Sequence, residues 1–71
     1  MKYLTIIEKG EDGCGAYVPD LPGCVAAAAT EEEALRLIGE AIALHIEMLQ
    51  EQGLPVPEPR SRAEVVGAGR R

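Results

Sequence analysis

Few side chains in this 71-residue sequence are of the types that carry out chemistry. Cys14 and Cys24 are potential nucleophiles or metal ligands, and His45 is the single histidine. A nucleophile needs a base beside it, and no spacing in the sequence brings His45 to either thiol. A structural metal site needs about four ligands, more than these side chains supply within one chain. We therefore predict no catalytic residue, metal or cofactor, with an enzyme using His45 or Cys24 as the weaker alternative.

A run of three glutamates at residues 31–33 resembles a metal-binding cluster but has a different explanation. Consecutive residues of a helix point about 100° apart, so these carboxylates cannot converge on one cation. Thr30 stands three residues before Glu33, which is the spacing of a helix-capping box. Carboxylates in a first turn also interact favourably with the helix dipole. The run therefore predicts the start of a helix.

The helix is predicted to extend from Thr30 to about Gln52, because Gly53 suits a left-handed C-terminal residue and Pro55 prevents continuation. Its polar side carries a predicted ladder of Glu32, Arg36 and Glu40. Two apolar stripes lie side by side on its other faces. The first contains Leu35, Ile38, Ile42, Ile46 and Leu49, and the second contains Leu37, Ala41, Leu44 and Met48.

One stripe is enough to cover a small sheet, so we expect the other to form an oligomer face in a dimer or tetramer. The alternative is that loops or the C-terminal tail cover it. So small a core gains much from self-association. The predicted oligomer face consists of Leu37, Ala41, Leu44, His45 and Met48.

Three strands are predicted before the helix, over residues 2–8, 15–18 and 24–29. Alanines fill the third strand, and their small side chains would allow the helix to pack close to the sheet. After the helix, alternating prolines predict an extended connector, and residues 63–66 predict a short fourth strand. The predicted fold is α+β: a three-stranded antiparallel sheet packed by one long helix plus a short C-terminal strand, in the order β-β-β-α-β. The domain would span residues 1–59, followed by a tail at 60–71.

The net charge changes sign at the same boundary, between residues 59 and 60. Residues 1–59 hold eleven acidic and three basic side chains, or −8, whereas residues 60–71 carry +3 through Arg60, Arg62, Arg70 and Arg71 against Glu64. An acidic body with only two aromatic residues argues against nucleic-acid binding and favours a basic protein partner. The candidate partner-binding residues are Asp20, Glu31, Glu32, Glu40 and Glu47, with simple solvation as the alternative for each.

Neither a leader peptide nor a membrane-length apolar stretch is visible in the sequence, which favours the cytoplasm. In that reducing compartment we expect the two thiols to stay free. A single disulfide between Cys14 and Cys24 is the alternative.

The segment AYVPDLPGC at residues 16–24, followed by TEEEA at 30–34, resembles the HicB-like antitoxin family. The family pattern continues with a helix ending in glycine and a Pro-any-Pro connector, which GLPVP at residues 53–57 matches. The resemblance covers residues 3–59. It departs at Ala28 and Ala29, where the family commonly has Gly-Asp.

The resemblance implies a partial ribonuclease-H-like fold in a protein that binds and blocks HicA, a small basic toxin that cleaves messenger RNA. Nuclease activity is not expected, because Leu4, Thr5 and Ile6 occupy the middle of the first strand, where such enzymes carry a metal-binding carboxylate. Family members usually add a DNA-binding domain, and the twelve residues after Pro59 are too few for one. We thus expect an antitoxin-like inhibitor that does not bind nucleic acid directly. The alternative is an orphan homo-oligomeric structural domain.

Overall fold

The structure of the protein is a computed structural model that describes residues 1–69. Arg70 and Arg71, counted in the predicted basic tail, lie outside the described residues. The described chain is α+β, as predicted, with three antiparallel strands and one long helix. These elements are β1 (Ile6–Lys9), β2 (Cys14–Tyr17), β3 (Val25–Ala28) and α1 (Glu31–Glu51).

The sheet has the order β1-β2-β3, with Ile7 opposite Ala16 and Ala16 opposite Ala26. Strand β1 begins at Ile6, four residues later than predicted. The register explains the difference: Ile6 pairs with Tyr17, so Leu4 would face Pro19, which has no N–H to donate to a ladder. Strand β2 lies one residue earlier than predicted, at Cys14–Tyr17.

Small side chains let helix α1 approach the sheet closely. Ala34 on the helix is fully buried, and Ala26 and Ala28 of β3 pack against the core, as the alanine-rich third strand predicted. The buried core consists of Ala16, Val18, Leu21, Cys24, Ala34 and Ile38. Of the two predicted helix stripes, neither packs alone: Ile38 and Ile42 come from the first stripe and Ala41 from the second. Leu35, predicted in the first stripe, is 47% exposed instead.

The helix termini follow the prediction in most details. The Thr30 hydroxyl accepts a hydrogen bond from the Glu33 backbone N–H at 3.2 Å, and Gly53 adopts a left-handed conformation with φ of 71°. The Glu33 carboxylate does not complete the capping box, because it pairs with Arg36. Arg36 also bonds Glu40 at 2.7 Å, so the predicted ladder runs through Glu33 rather than Glu32.

The predicted fourth strand at residues 63–66 is not formed in this single chain. Residues 54–69 contain no strand, and Val65 and Val66 are 98% and 79% exposed. The physical reason is the lack of a partner: the structure holds the chain against the body only as far as Ser61. The ribonuclease-H-like relationship stays a prediction.

Within residues 1–69, the structure contains no helix of the length and apolar character that crossing a membrane requires.

Candidate functional site

The turn at residues 19–24 connects β2 to β3, is fixed by backbone hydrogen bonds and contributes buried side chains to the core. The Leu21 N–H donates to the Val18 carbonyl at 3.0 Å, and the Cys24 N–H donates to the Leu21 carbonyl at 3.0 Å. The Val18 N–H closes the turn by donating to the Cys24 carbonyl at 3.2 Å. Leu21 is completely buried and Cys24 almost so. The side chains of this turn therefore close the core at the end of the sheet where β2 ends and β3 begins.

Asp20, at the tip of that turn, holds the C-terminal segment. Its Oδ2 accepts from the backbone N–H groups of Arg60 and Ser61, at 2.9 and 2.8 Å, and its Oδ1 accepts from the Ser61 hydroxyl at 2.8 Å. The Ser61 backbone bond, followed by the Arg60 backbone bond, lowers the pKa of the Asp20 carboxyl. A second anchor is the Tyr3 hydroxyl, which donates to the Pro57 carbonyl. The structure thus gives Asp20 a structural role, and its predicted contact with a partner remains a prediction.

The lowered pKa of Asp20 makes this anchor sensitive to acid. Because the folded-state pKa lies below the ordinary value of 3.8, the contribution to stability is fully present above that value. It is lost as the pH falls through the lower folded-state value. We expect the Ser61 amide resonance in an NMR titration to move with a midpoint below pH 3.8. The Asp20→Asn variant should lack this transition, and a wild-type midpoint above that value would contradict the anchor.

The acidic candidate residues do not form one cluster. Glu31 pairs with Lys9 at 3.1 Å, and Glu40 pairs with Arg36. Glu32 and Glu47 have no ion-pair partner among residues 1–69. Helix positions 31 and 47 are about 24 Å apart along the axis. Since exposed ion pairs contribute little to stability, these carboxylates are available for another interaction.

An apolar groove of about 260 Å³ opens between the end of the turn and helix α1. Four predicted oligomer-face residues line it: Ala41, Leu44, His45 and Met48. The fifth, Leu37, is half-buried and does not line it. The opposite wall is formed by Gly23, Cys24 and Val25.

Sequence analysis missed the wall formed by Gly23, Cys24 and Val25, of which Val25 is the exposed apolar member. It is 64% exposed, because strand alternation places it on the face opposite Cys24 and Ala26, which face the core. Only the position of the turn relative to the helix shows that this strand end borders the groove. Leu44 at 65% and Met48 at 46% exposure complete an apolar surface that nothing in the described chain covers.

The Cys24 thiol lies in the wall of this groove and is almost completely buried. Burial raises the pKa of the Cys24 thiol, which favours the protonated form rather than the nucleophilic thiolate. Cys14 and Cys24 are both free in the structure, in agreement with the free-thiol expectation. Residues 1–69 contain no group of three or more His, Cys, Asp or Glu side chains placed to hold a metal ion. What the arrangement offers is an apolar groove beside an acidic helix.

The fold and these surfaces define a small α+β domain suited to contact with other proteins. The family model for the HicB_like antitoxin of bacterial toxin-antitoxin systems matches residues 3–68. The chain belongs to this family, which confirms the resemblance seen in the sequence.

Similar proteins come from archaea, phages and bacteria. A UPF0150 protein of Thermoplasma acidophilum is 45% identical over 67 residues, covering 93% of this chain and 94% of that protein. An uncharacterized 14.9 kDa protein of Haemophilus phage HP1 is 43% identical over 58 residues, but the match covers only 44% of that longer protein. Among solved structures, a chain of the HicA3 and HicB3 toxin-antitoxin complex is similar with a TM-score of 0.70 and 37% identity. That match covers 83% of this chain and 70% of the other.

Proposed function

We propose that this protein is an antitoxin that binds and neutralises a small basic toxin of the HicA type, which cleaves messenger RNA. The likeness to a chain of the HicA3 and HicB3 complex, at a TM-score of 0.70 and 37% identity, carries the proposal. The proposal places the complex in the cytoplasm, where messenger RNA is translated. Inhibition of this kind needs only occupation of the toxin surface, so the antitoxin itself is proposed to be non-catalytic.

Charge supports a basic partner. The body at residues 1–59 has a formal charge of −8, with eleven acidic against three basic side chains. Glu32, Glu40 and Glu47 are exposed and lie within about 100° of one another around helix α1. We call these three residues the acidic helix face. Opposite charge across an interface speeds association and suppresses wrong partners.

The acidic helix face is tested by charge reversal. We expect the triple variant Glu32→Lys, Glu40→Lys, Glu47→Lys to bind a HicA-type toxin roughly 100-fold more weakly than the wild type does, since like charges across an interface cost several kcal/mol. Isothermal titration calorimetry at low and high salt measures the loss, and protection of a reporter messenger RNA measures neutralisation.

The matched control reverses three other exposed acids, Glu8, Glu11 and Asp12, at the β1–β2 hairpin. It changes the net charge by the same amount, so it should bind as the wild type does apart from a small general charge effect. Equal weakening in both variants would contradict the acidic helix face. Failure of the wild type to bind the toxin or to protect the messenger RNA would overturn the antitoxin function.

The second candidate function is that of a self-associating structural domain, which does not require a toxin partner. Its support is the uncovered apolar surface around Leu44 and Met48, which are 65% and 46% exposed. A domain this small gains stability by burying such a surface against another copy. Light scattering of the chain alone measures this directly, and a monomer at all concentrations would contradict it.

A further inference from the structure

We infer that residues 62–69 of one copy bind in the apolar groove of a second copy, so that two chains form a dimer by exchanging their C-terminal segments. We call residues 62–69 the arm. The inference rests on the self-association proposed above and names the segment that fills the groove. It does not depend on the presence of a toxin.

The arm carries an apolar pair that nothing else among residues 1–69 covers. Val65 and Val66 are 98% and 79% exposed, and both are branched residues that favour extended backbone. The chain is 51 Å in its longest dimension, whereas helix α1 is about 31 Å long. This elongation fits an arm that stands away from the body.

Two anchors direct the arm toward the side of the sheet where the groove lies. The connector first meets Tyr3, just before β1, through the Pro57 carbonyl. It then meets Asp20, in the turn between β2 and β3, through Ser61. The sheet order is β1-β2-β3, so the chain crosses from the β1 side toward β3, whose first residue, Val25, lines the groove.

The groove is suited to two branched apolar side chains. Its volume is about 260 Å³. Its walls present Leu44, Met48 and Val25. Strand β3 is also a free sheet edge, and an extended segment can add to such an edge through its backbone. The fourth strand predicted at residues 63–66 would then form between chains.

Charge complements the apolar contact. Glu40, Glu47 and Glu51 are exposed on the helix flank next to Leu44. The arm itself holds one base, Arg62, and one acid, Glu64, and the excess of +3 over residues 60–71 comes from Arg60, Arg70 and Arg71 on either side of it. Within residues 1–69, Arg62 pairs with Glu64 of the same arm, and its side chain is 84% exposed, so this weak surface pair can exchange for a partner carboxylate.

A second copy explains the arrangement better than closure of the arm on its own body. In the structure the arm lies off its own groove, with Val65 almost fully exposed. Each chain carries one arm and one groove, so a two-fold pair fills both grooves and leaves no free arm. Such an exchange closes on itself at the dimer and does not propagate.

The experiment measures the mass of the full chain by light scattering over a wide concentration range. We expect the wild type to be a dimer that dissociates on dilution. The arm variant Val65→Asp, Val66→Asp and the groove variant Leu44→Glu should be monomeric, with helical circular dichroism unchanged. The control variant Ala68→Asp adds one negative charge, as Leu44→Glu does, but on the exposed arm outside the apolar pair, and it should remain dimeric.

Mixing the two monomeric variants gives the sharpest test. The arm variant keeps an intact groove and the groove variant keeps an intact arm, so the mixture should regain one of the two contacts and form a weaker heterodimer. A monomeric wild type, a dimer that survives both variants, or a mixture that stays monomeric would each overturn the inference. Toxin binding is measured separately on the same proteins, so a dimer that binds no toxin would overturn the antitoxin function alone.

Discussion

Replacing Leu21 with alanine is expected to lower the free energy of unfolding by about 2–5 kcal/mol. Leu21 is the one large side chain among residues 1–69 that is completely buried. Truncating it removes apolar burial and leaves a cavity beneath the turn, whose backbone is fixed by hydrogen bonds to Val18 and Cys24 and cannot collapse easily. A core in a domain of this size supplies only about 3–5 kcal/mol, so the variant should be largely unfolded or close to it.

Thermal unfolding followed by circular dichroism measures this effect. A loss of about 3 kcal/mol corresponds to a fall in melting temperature of roughly 12–24 °C for so small a domain. The matched control is Leu35→Ala, the same truncation at a helix position that is 47% exposed, where we expect a loss of roughly 1 kcal/mol or less. Equal losses of unfolding free energy at both positions would show that Leu21, in the turn, is not at the centre of the core.

Gly13→Ala is the second substitution with a large expected effect. A Cβ at this position would lie 2.6 Å from the Ala28 carbonyl oxygen, closer than such contacts occur. The Ala28 backbone belongs to the β2–β3 ladder, in which Cys14 pairs with Ala28, so it cannot give way without disturbing the sheet. Overpacking of this kind costs about 1–3 kcal/mol, which chemical denaturation resolves as a lower midpoint.

Gly39→Ala is the control with the opposite expected sign. A Cβ at Gly39 meets nothing within 4 Å, and this residue lies in the middle of helix α1. Alanine should therefore raise the free energy of unfolding by about 0.5–1 kcal/mol. If both variants were destabilised alike, the contact between Gly13 and the Ala28 carbonyl would not be the reason for glycine at position 13.

Local signals in the sequence predicted the helix well because its determinants are local. Thr30 caps the first turn and Gly53 ends the last, and both are found where the spacing predicted them. The start of β1 was predicted less well, because the end of a strand depends on its neighbour: Pro19 removes the donor that Leu4 would need. The apolar pattern along residues 2–8 does not show which residue of the neighbouring strand lies opposite Leu4.

The candidate site was also predicted in part: one wall of the groove follows from the sequence and the other does not. The wheel positions of Leu44, His45 and Met48 identified one wall of the groove, because helical periodicity alone places them together. The other wall, with Gly23 and Val25, comes from a turn some twenty residues earlier, and only packing brings it there. Asp20 shows the same limit: its charge marked it as a partner-binding candidate, whereas its hydrogen bonds join it to Ser61, forty-one residues away.

The sequence by itself determined the helix, the order of the three strands and the family, since capping, glycine and proline chemistry and the PDLPGC motif all act over a few residues. It also determined that the acidity belongs to residues 1–59 and the basic excess to the tail. Tertiary structure alone decided which apolar side chains are covered, because burial depends on what lies opposite. It buried Ala34 and Ile38, left Leu44 open beside Val25, and tied the connector to Asp20 while leaving Val65 uncovered.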